Sequence, residues 1–185
     1  MESFAGKEQN MKKKIAGSPA VLVLMGSDSD WPVMQESVRV LKDYNVACDV
    51  AVLSAHRTPE RAAALASGAI ASGVKVIIAA AGSSAHLAGV LAAHTTLPVI
   101  GVPMKGGALD GLDALLSTVQ MPAGIPVATV ALGKAGAVNA ALLAIQVLAL
   151  NDARLRSRLV AHKQELKRKV DEANGRLRAD LERMK

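Results

Sequence analysis

Residues 20–31 read AVLVLMGSDSDW, and the change of character within this stretch decides the fold. The first six residues are apolar without alternation, as in a strand covered on both faces. Gly26-Ser27-Asp28-Ser29-Asp30 then supplies turn-forming residues, and Trp31-Pro32 opens a segment of helical length, with proline tolerated in a helix's first turn. The same succession recurs along the chain. Strand-length runs at 20–25, 47–53, 75–80, 98–102 and 127–131 alternate with helical segments at 30–44, 59–72, 85–95 and 109–119. Such alternation predicts an α/β domain with a parallel central sheet and helices on both faces. Asp30 and Thr58 are the expected caps of the first two helices, and Asn45 and Gly73 are placed to end them.

Composition narrows the function. Of 185 residues, 34 are alanine and only Phe4, Trp31 and Tyr44 are aromatic, so the elements must pack closely on small aliphatic side chains. A site that stacks bases or a flavin on several rings lacks the rings. The net charge of +6 sits at the ends: 1–19 carries +2, 152–185 carries +5, and 20–151 carries −1. A nucleic-acid reader concentrates positive charge on its recognition surface; this body does not, and no specific nucleic-acid partner is expected. One cysteine, Cys48, allows no intramolecular disulfide and no multi-thiolate metal site, which suits a reducing, cytoplasmic setting. Lys12-Lys13-Lys14 faintly resembles the start of a signal peptide, but the apolar run at 20–25 is too short for one. No stretch of 18 uncharged apolar residues predicts a membrane span.

Three parts are expected: a basic, flexible tail at 1–19, a catalytic α/β domain at 20–151, and a charged helix at 152–185. Segment 135–150, AGAVNAALLAIQVLAL, has almost no polar face, which implies burial between subunits. In the last part, Leu155, Leu159, Leu166, Val170, Leu177 and Leu181 form a narrow seam on one long helix. It reads as a solvated helix lying on its own domain or a neighbour, in preference to a nucleic-acid element.

Ligands of open parallel sheets bind outside the carboxyl ends of the strands, and three polar clusters fall there. The first is Gly26, Ser27, Asp28, Ser29 and Asp30. It opens a helix, whose unpaired N–H groups and dipole suit phosphate, with the serine hydroxyls as further donors. Two aspartates would repel that phosphate, so Asp30 is given to capping or to a ribose hydroxyl. The segment is neither a dinucleotide fingerprint nor a P-loop, and read alone it is equally a polar turn. The second cluster, Ser54-Ala55-His56-Arg57-Thr58-Pro59, offers Arg57 as a phosphate or carboxylate clamp and His56 as a proton carrier near neutral pH. A purely structural histidine fits the same pattern. The third, Ala81-Gly82-Ser83-Ser84-Ala85-His86-Leu87, can hold a carboxylate on its N–H groups. It is also a plain helix start, capped by Ser83 or Ser84 with His86 packed. Gly106-Gly107-Ala108 and 117–126 look like a flexible loop and a rigid turn at the same edge. There is no nucleophile elbow, HExxH or CxxC pattern, and no carboxylate set for a metal. The residues by themselves describe a phosphate-anchored small-molecule site with two histidines, no cofactor and no metal.

These residues resemble a known family. MGSDSDW at 25–31, SAHRTP at 54–59, the AG..AHL frame at 81–87, LPVIGVP at 97–103 and the long segment 108–144 are similar to N5-carboxyaminoimidazole ribonucleotide mutase, the class I PurE protein of purine biosynthesis. The resemblance covers about 20–150. It implies a flavodoxin-like three-layer α/β/α domain, a homo-octamer, a ribonucleotide substrate, and no ATP, biotin or metal. It implies His56 as general acid/base with His86 in the same pocket. Ser27, Asp30 and Arg57 would hold the ribose phosphate, in a binding site completed by Gly26, Ser29, Ser54, Ala55, Gly82, Ser83, Ser84 and Leu87. Two departures stand out. The family's usual Gly-Ala-Ala-His-Leu-Pro-Gly is here Ser83-Ser84-Ala85-His86-Leu87-Ala88-Gly89, which adds a hydroxyl and removes a proline. Met104-Lys105-Gly106-Gly107 replaces a commoner Val-Gln-Ser segment. Class II relatives, which carboxylate aminoimidazole ribonucleotide directly, typically carry Lys after SAH and lack the second histidine, so Arg57 and His86 favour class I. A nucleotide-sensing module on the same scaffold would leave His56 without a task.

Overall fold

The structure is a computed structural model that describes residues 18–184. Residues 1–17 of the expected basic tail lie outside the described residues. Five strands form one parallel sheet: β1 (Val21–Met25), β2 (Cys48–Val52), β3 (Val76–Ala81), β4 (Val99–Pro103) and β5 (Ala128–Thr129), in the order β2-β1-β3-β4-β5. The helices are α1 (Trp31–Asp43), α2 (Pro59–Gly68), α3 (Leu87–Ala93), α4 (Leu112–Val119), α5 (Gly133–Ala149) and α6 (Ala153–Arg183). The chain divides into two compact units, one up to Ile145 and one from Gln146 onward.

The continuous apolar runs became the interior strands. Every residue of β1 and β4 is buried, as are the first five of β3, whereas edge strand β2 is partly open. Registers Leu22↔Ile77 and Leu24↔Ala79 put these side chains on one face, and they join a core with Ala62 and Ala66 of α2 and Leu87, Ala88 and Leu91 of α3. The opposite face carries Val21, Val23, Val76, Ile78 and Ile100, by the period-two alternation of strands. On that side α1 and α5 are tied by a buried hydrogen bond, Ser37 Oγ donating to Ala137 O at 2.6 Å. The sheet is therefore flanked on both faces, as the alternation predicts. Alanine is how the helices come so close: Ala137, Ala140, Ala141 and Ala144 of α5 are each completely buried.

The structure corrects several local expectations. Asp30 does not cap α1. The chain first winds into a 3-10 turn at Asp28–Asp30, so Asp30 already has helical backbone angles and makes no capping bond. Ser27 takes that place and accepts from Ser29 N–H at 3.3 Å. Thr58 makes no capping bond either, because its hydroxyl closes back on Ser54, donating to Ser54 O at 2.9 Å. Neither Ser83 nor Ser84 caps α3, which begins at Leu87 with His86 at the cap position. Asn45 does adopt a left-handed φ of 56° after α1, but α2 stops at Gly68 with Ala69 at its cap position, and Gly73, at φ 88°, ends only the turns that follow. Within one chain α5 is buried on one face only, since Val138, Leu142 and Leu143 are half-buried. In the second unit, Asp152 caps α6 through bonds from Arg154 N–H and Leu155 N–H. Leu155 is buried there, while Leu166, Val170, Leu177 and Leu181 are exposed.

Gly101, in the middle of β4, is the tightest point of the helix-on-sheet packing. A Cβ there would collide with Thr118 Cγ2 of α4 and crowd Val127 Cγ1 at 3.0 Å. Gly101→Ala should destabilise the protein by about 1–3 kcal/mol through overpacking. The check is a shift of the urea midpoint at unchanged slope; an unshifted midpoint would mean that α4 yields freely.

Candidate active site at the strand ends

Strand β1 is hydrogen-bonded to β2 on one side and β3 on the other, with Met25↔Val52 and Met25↔Ala80 level at the carboxyl end. The chain leaves β1 toward β2 by one crossover and reaches β3 by another on the opposite face. Their connecting loops part there and leave a crevice. A cavity of about 500 Å³ occupies it. From the β1 end it is lined by Gly26, Ser27, Ser29 and Asp30, and from the β2 end by Ser54, Ala55, His56 and Arg57. The β3 end contributes Gly82, Ser83, Ser84 and Leu87. Every residue expected at the site from sequence thus lines this one cavity, except His86.

His86 is exposed and outside the lining, and is joined to it by a hydrogen bond. Its Nδ1 lies 2.9 Å from His56 Nε2, with the rings edge to face at 81°. One of these nitrogens must donate and the other accept, so the pair can carry at most one imidazolium while the bond is intact. His56 lines the cavity, and His86 is its hydrogen-bond partner.

Arg57 is aimed by its neighbours. Its N–H and Nε donate to Ser54 Oγ at 3.1 and 3.4 Å, and Nη2 donates to Gly26 O at 3.4 Å, which swings the guanidinium from β2 across the end of β1. Among the described residues no carboxylate pairs with it, so its remaining donors face the cavity. Ser27 and Ser29 are linked at 2.9 Å between hydroxyls, and Ser27 also donates to Asp28 Oδ1 at 3.3 Å. A bound anion would have to draw these hydroxyls out of that small network. Burial pushes the Asp30 carboxyl above the ordinary aspartate range; a backbone hydrogen bond from Ser27 opposes this and the Asp28 charge adds to it. An added Cβ at Gly26 or Gly82 would meet only ordinary contacts, at 3.6–3.9 Å.

Sequence reasoning put Ala81 in the third cluster and Gly106 and Gly107 at this edge, but counted none of them, nor Met104 and Lys105, among the site residues. Ala81, at the end of β3, and Met104, Lys105, Gly106 and Gly107, after β4, also line the cavity. The strand-end rule applied to three strands applies equally to the fourth, and that was the available signal. Gly106 and Gly107 have left-handed φ of 125° and 70°, and Gly107 lies against Ser83, whose Oγ would be 2.9 Å from an added Cβ. Ser83 itself has φ of 51°. A serine in that conformation, where the resembling family usually has glycine, strains the backbone by of order 1 kcal/mol. The two departures noted separately in the sequence therefore touch. Among the described residues, no group of three or more His, Cys, Asp or Glu side chains converges to hold a metal, and no helix is long and apolar enough to cross a membrane.

Comparison with known proteins agrees with the fold. Residues 20–169 match the family described as AIR carboxylase. An N5-carboxyaminoimidazole ribonucleotide mutase of Pyrococcus horikoshii is 52% identical over 86% of this chain and 89% of its own. The Bacillus subtilis protein of the same name is 50% identical over 86% of this chain and 98% of its own. Among solved structures, Treponema denticola PurE superposes with a TM-score of 0.78 at 28% identity, over 86% of this chain and 98% of that one.

Because burial disfavours the charged form of Asp30, Asp30→Asn should raise the melting temperature at pH 7. The wild type recovers this stability as pH falls through the raised carboxyl value, since the folded state then takes up a proton before the unfolded chain does. The gap between the two proteins should close by about pH 3, below the ordinary aspartate value. Melting curves at both pH values check this, and a gap that widens toward acid would contradict the sign.

Proposed function

The chain belongs to the AIR carboxylase family, and from that premise we propose that it is an N5-carboxyaminoimidazole ribonucleotide mutase, an isomerase of purine biosynthesis. The observation that carries the mechanism is the hydrogen-bonded pair His56–His86 at a cavity that also carries serine hydroxyls, two cations and the Asp30 carboxyl. A mutase that moves a carboxyl group from N5 to C4 must deliver a proton to one atom and remove it from another. His56 does both. Protonated, it gives its proton to N5 as the N–C bond breaks and the bonding pair returns to nitrogen, leaving aminoimidazole ribonucleotide and CO2. C4 then attacks the CO2 carbon, and neutral His56 takes the C4 proton, which restores its starting state. General acid–base catalysis of this kind contributes about 10²–10⁴-fold.

The remaining groups bind and confine. Ser27, Ser29, Ser54 and the Arg57 guanidinium hold the phosphate, the charge-assisted fork supplying most of the strength. Asp30, as a carboxylate, accepts from a ribose hydroxyl. Gly82, Ser83 and Ser84 present small neutral groups around the CO2, which keeps it beside C4 at high effective concentration and free of competing amines. The chain works as a homo-octamer in the cytoplasm. The support for assembly is apolar surface left open in one chain: half-buried Val138, Leu142 and Leu143 of α5, and exposed Leu109, Leu112, Leu116 and Val119 on and before α4.

Turnover of fresh N5-carboxyaminoimidazole ribonucleotide in labelled bicarbonate tests the reading. Fast conversion with little label in the product is expected. Conversion only from aminoimidazole ribonucleotide, with full labelling, would make the protein a direct carboxylase, and no conversion of either would make it a binding module. His56→Asn should lower kcat by about 10²–10⁴-fold, while product affinity stays within a few-fold; equal losses of both would assign His56 to binding. Sedimentation should give the mass of eight 19.1 kDa chains, and a monomer would leave the apolar face of α5 unexplained.

A further inference from the structure

We propose that Lys105 and Ser83 form a carboxylate subsite on the β3–β4 side of the cavity, taking the migrating carboxyl group of the substrate while the Arg57 side takes the phosphate. The inference rests on the mutase reading and assigns a task to the wall that sequence reasoning passed over. Lys105 is held at its base. Met104 N–H, one residue before it, donates to Ala81 O at 2.9 Å, which pins the loop to the end of β3. The lysine stem runs beside two glycines of left-handed φ: its Cα lies 3.2 Å from the position of a Cβ on Gly111, and its Cγ 3.8 Å from that on Gly133. A side chain at Gly111 would crowd the backbone of Lys105, and one at Gly133 would come into ordinary contact with its stem. Lys105 lines the cavity.

Neither Lys105 Nζ nor Ser83 Oγ has an ion-pair or hydrogen-bond partner among the described residues. The acids within reach are otherwise placed. Asp113 accepts from Ala114 N–H at 2.9 Å and turns its other oxygen toward Gly107, and Asp110 lies in the loop at φ 46°. Neither pairs with Lys105. The cavity therefore has two cations and one lining carboxylate, Asp30. Those cations stand apart. Arg57 reaches over the end of β1, while Lys105 follows β4, two strands away in the order β1-β3-β4. At about 4.8 Å per strand this is a separation of about 10 Å. Two anion sites at the two ends of one cavity fit a molecule that carries a phosphate at one end and a carboxylate at the other. Ser83 adds a hydroxyl donor from the β3 wall, and Gly107, lacking a Cβ, leaves the space that this hydroxyl needs.

The test compares two ribonucleotides that differ by that carboxyl group. Calorimetric titration of the full chain should show 4-carboxy-5-aminoimidazole ribonucleotide binding about tenfold or more tightly than aminoimidazole ribonucleotide, the increment of a hydrogen bond to a charged group. Lys105→Met and Lys105→Gln should remove most of this preference and leave the affinity for aminoimidazole ribonucleotide unchanged. Lys105→Arg should keep it, and Ser83→Ala should lose a smaller part. Equal weakening of both ligands would place Lys105 on the phosphate or in the fold. An unchanged preference would make it a solvated loop residue. Either result overturns the inference and leaves the mutase reading standing, whereas a wild-type protein that binds neither ribonucleotide overturns both.

Discussion

Everything at the site depends on the double pairing of β1. Its backbone is hydrogen-bonded along both edges, to β2 and to β3, in registers that bring Met25 level with Val52 and with Ala80. Three strand ends are thereby held in line, and the loops that leave them cannot slide past one another without breaking the ladder. His56 and His86 are thirty residues apart in sequence and meet at 2.9 Å because these registers place the loops after β2 and β3 on either side of β1. A slip of one residue would turn each strand's side chains to the other face and carry the loops with them.

The second constraint is closeness. A core with so few aromatic rings gains its burial from many short side chains, and short side chains let helices ride near the sheet. Gly101 and the buried alanines of α5 are where this shows. One face of α5 meets the sheet in this way. The other remains apolar and only half-covered within one chain, which is why assembly belongs to the functional reading.

The β3–β4 wall shows how a local change of residue type can be absorbed. Ser83 brings a hydroxyl into a left-handed position, and Gly107 opposite has no side chain to meet it. Lys105 stands between them and the glycines at 111 and 133. These positions come from three separate stretches of the chain, around 83, 105–111 and 133, yet they meet. Their chemistry, donors and a cation, complements the other end of the cavity, where Arg57 and three serines gather.

How much of this was legible in the sequence follows from which forces are local. Unbroken apolar runs can satisfy their surroundings only as covered strands, so residues 20–25 and 75–80 announced a parallel sheet before any contact was known. The strand-end rule then marked the clusters after β1, β2 and β3, and the resemblance in those same clusters named the chemistry. Cap positions were less legible, because a 3-10 turn before α1 and a hydroxyl turned back on Ser54 depend on neighbours that a pattern does not reveal. The loop after β4 was passed over because glycine and lysine carry no catalytic signature of their own. Sequence by itself thus determined the α/β class and the family, and marked the residues that come to line the cavity, since these depend on side-chain type and short-range period. Only the tertiary structure decided that His86 meets His56, that Arg57 leans across β1, and that Lys105 lines the same cavity. Those relations arise from pairing and packing between segments distant in the chain, where distance is set by the sheet and the sequence prints no measure of it.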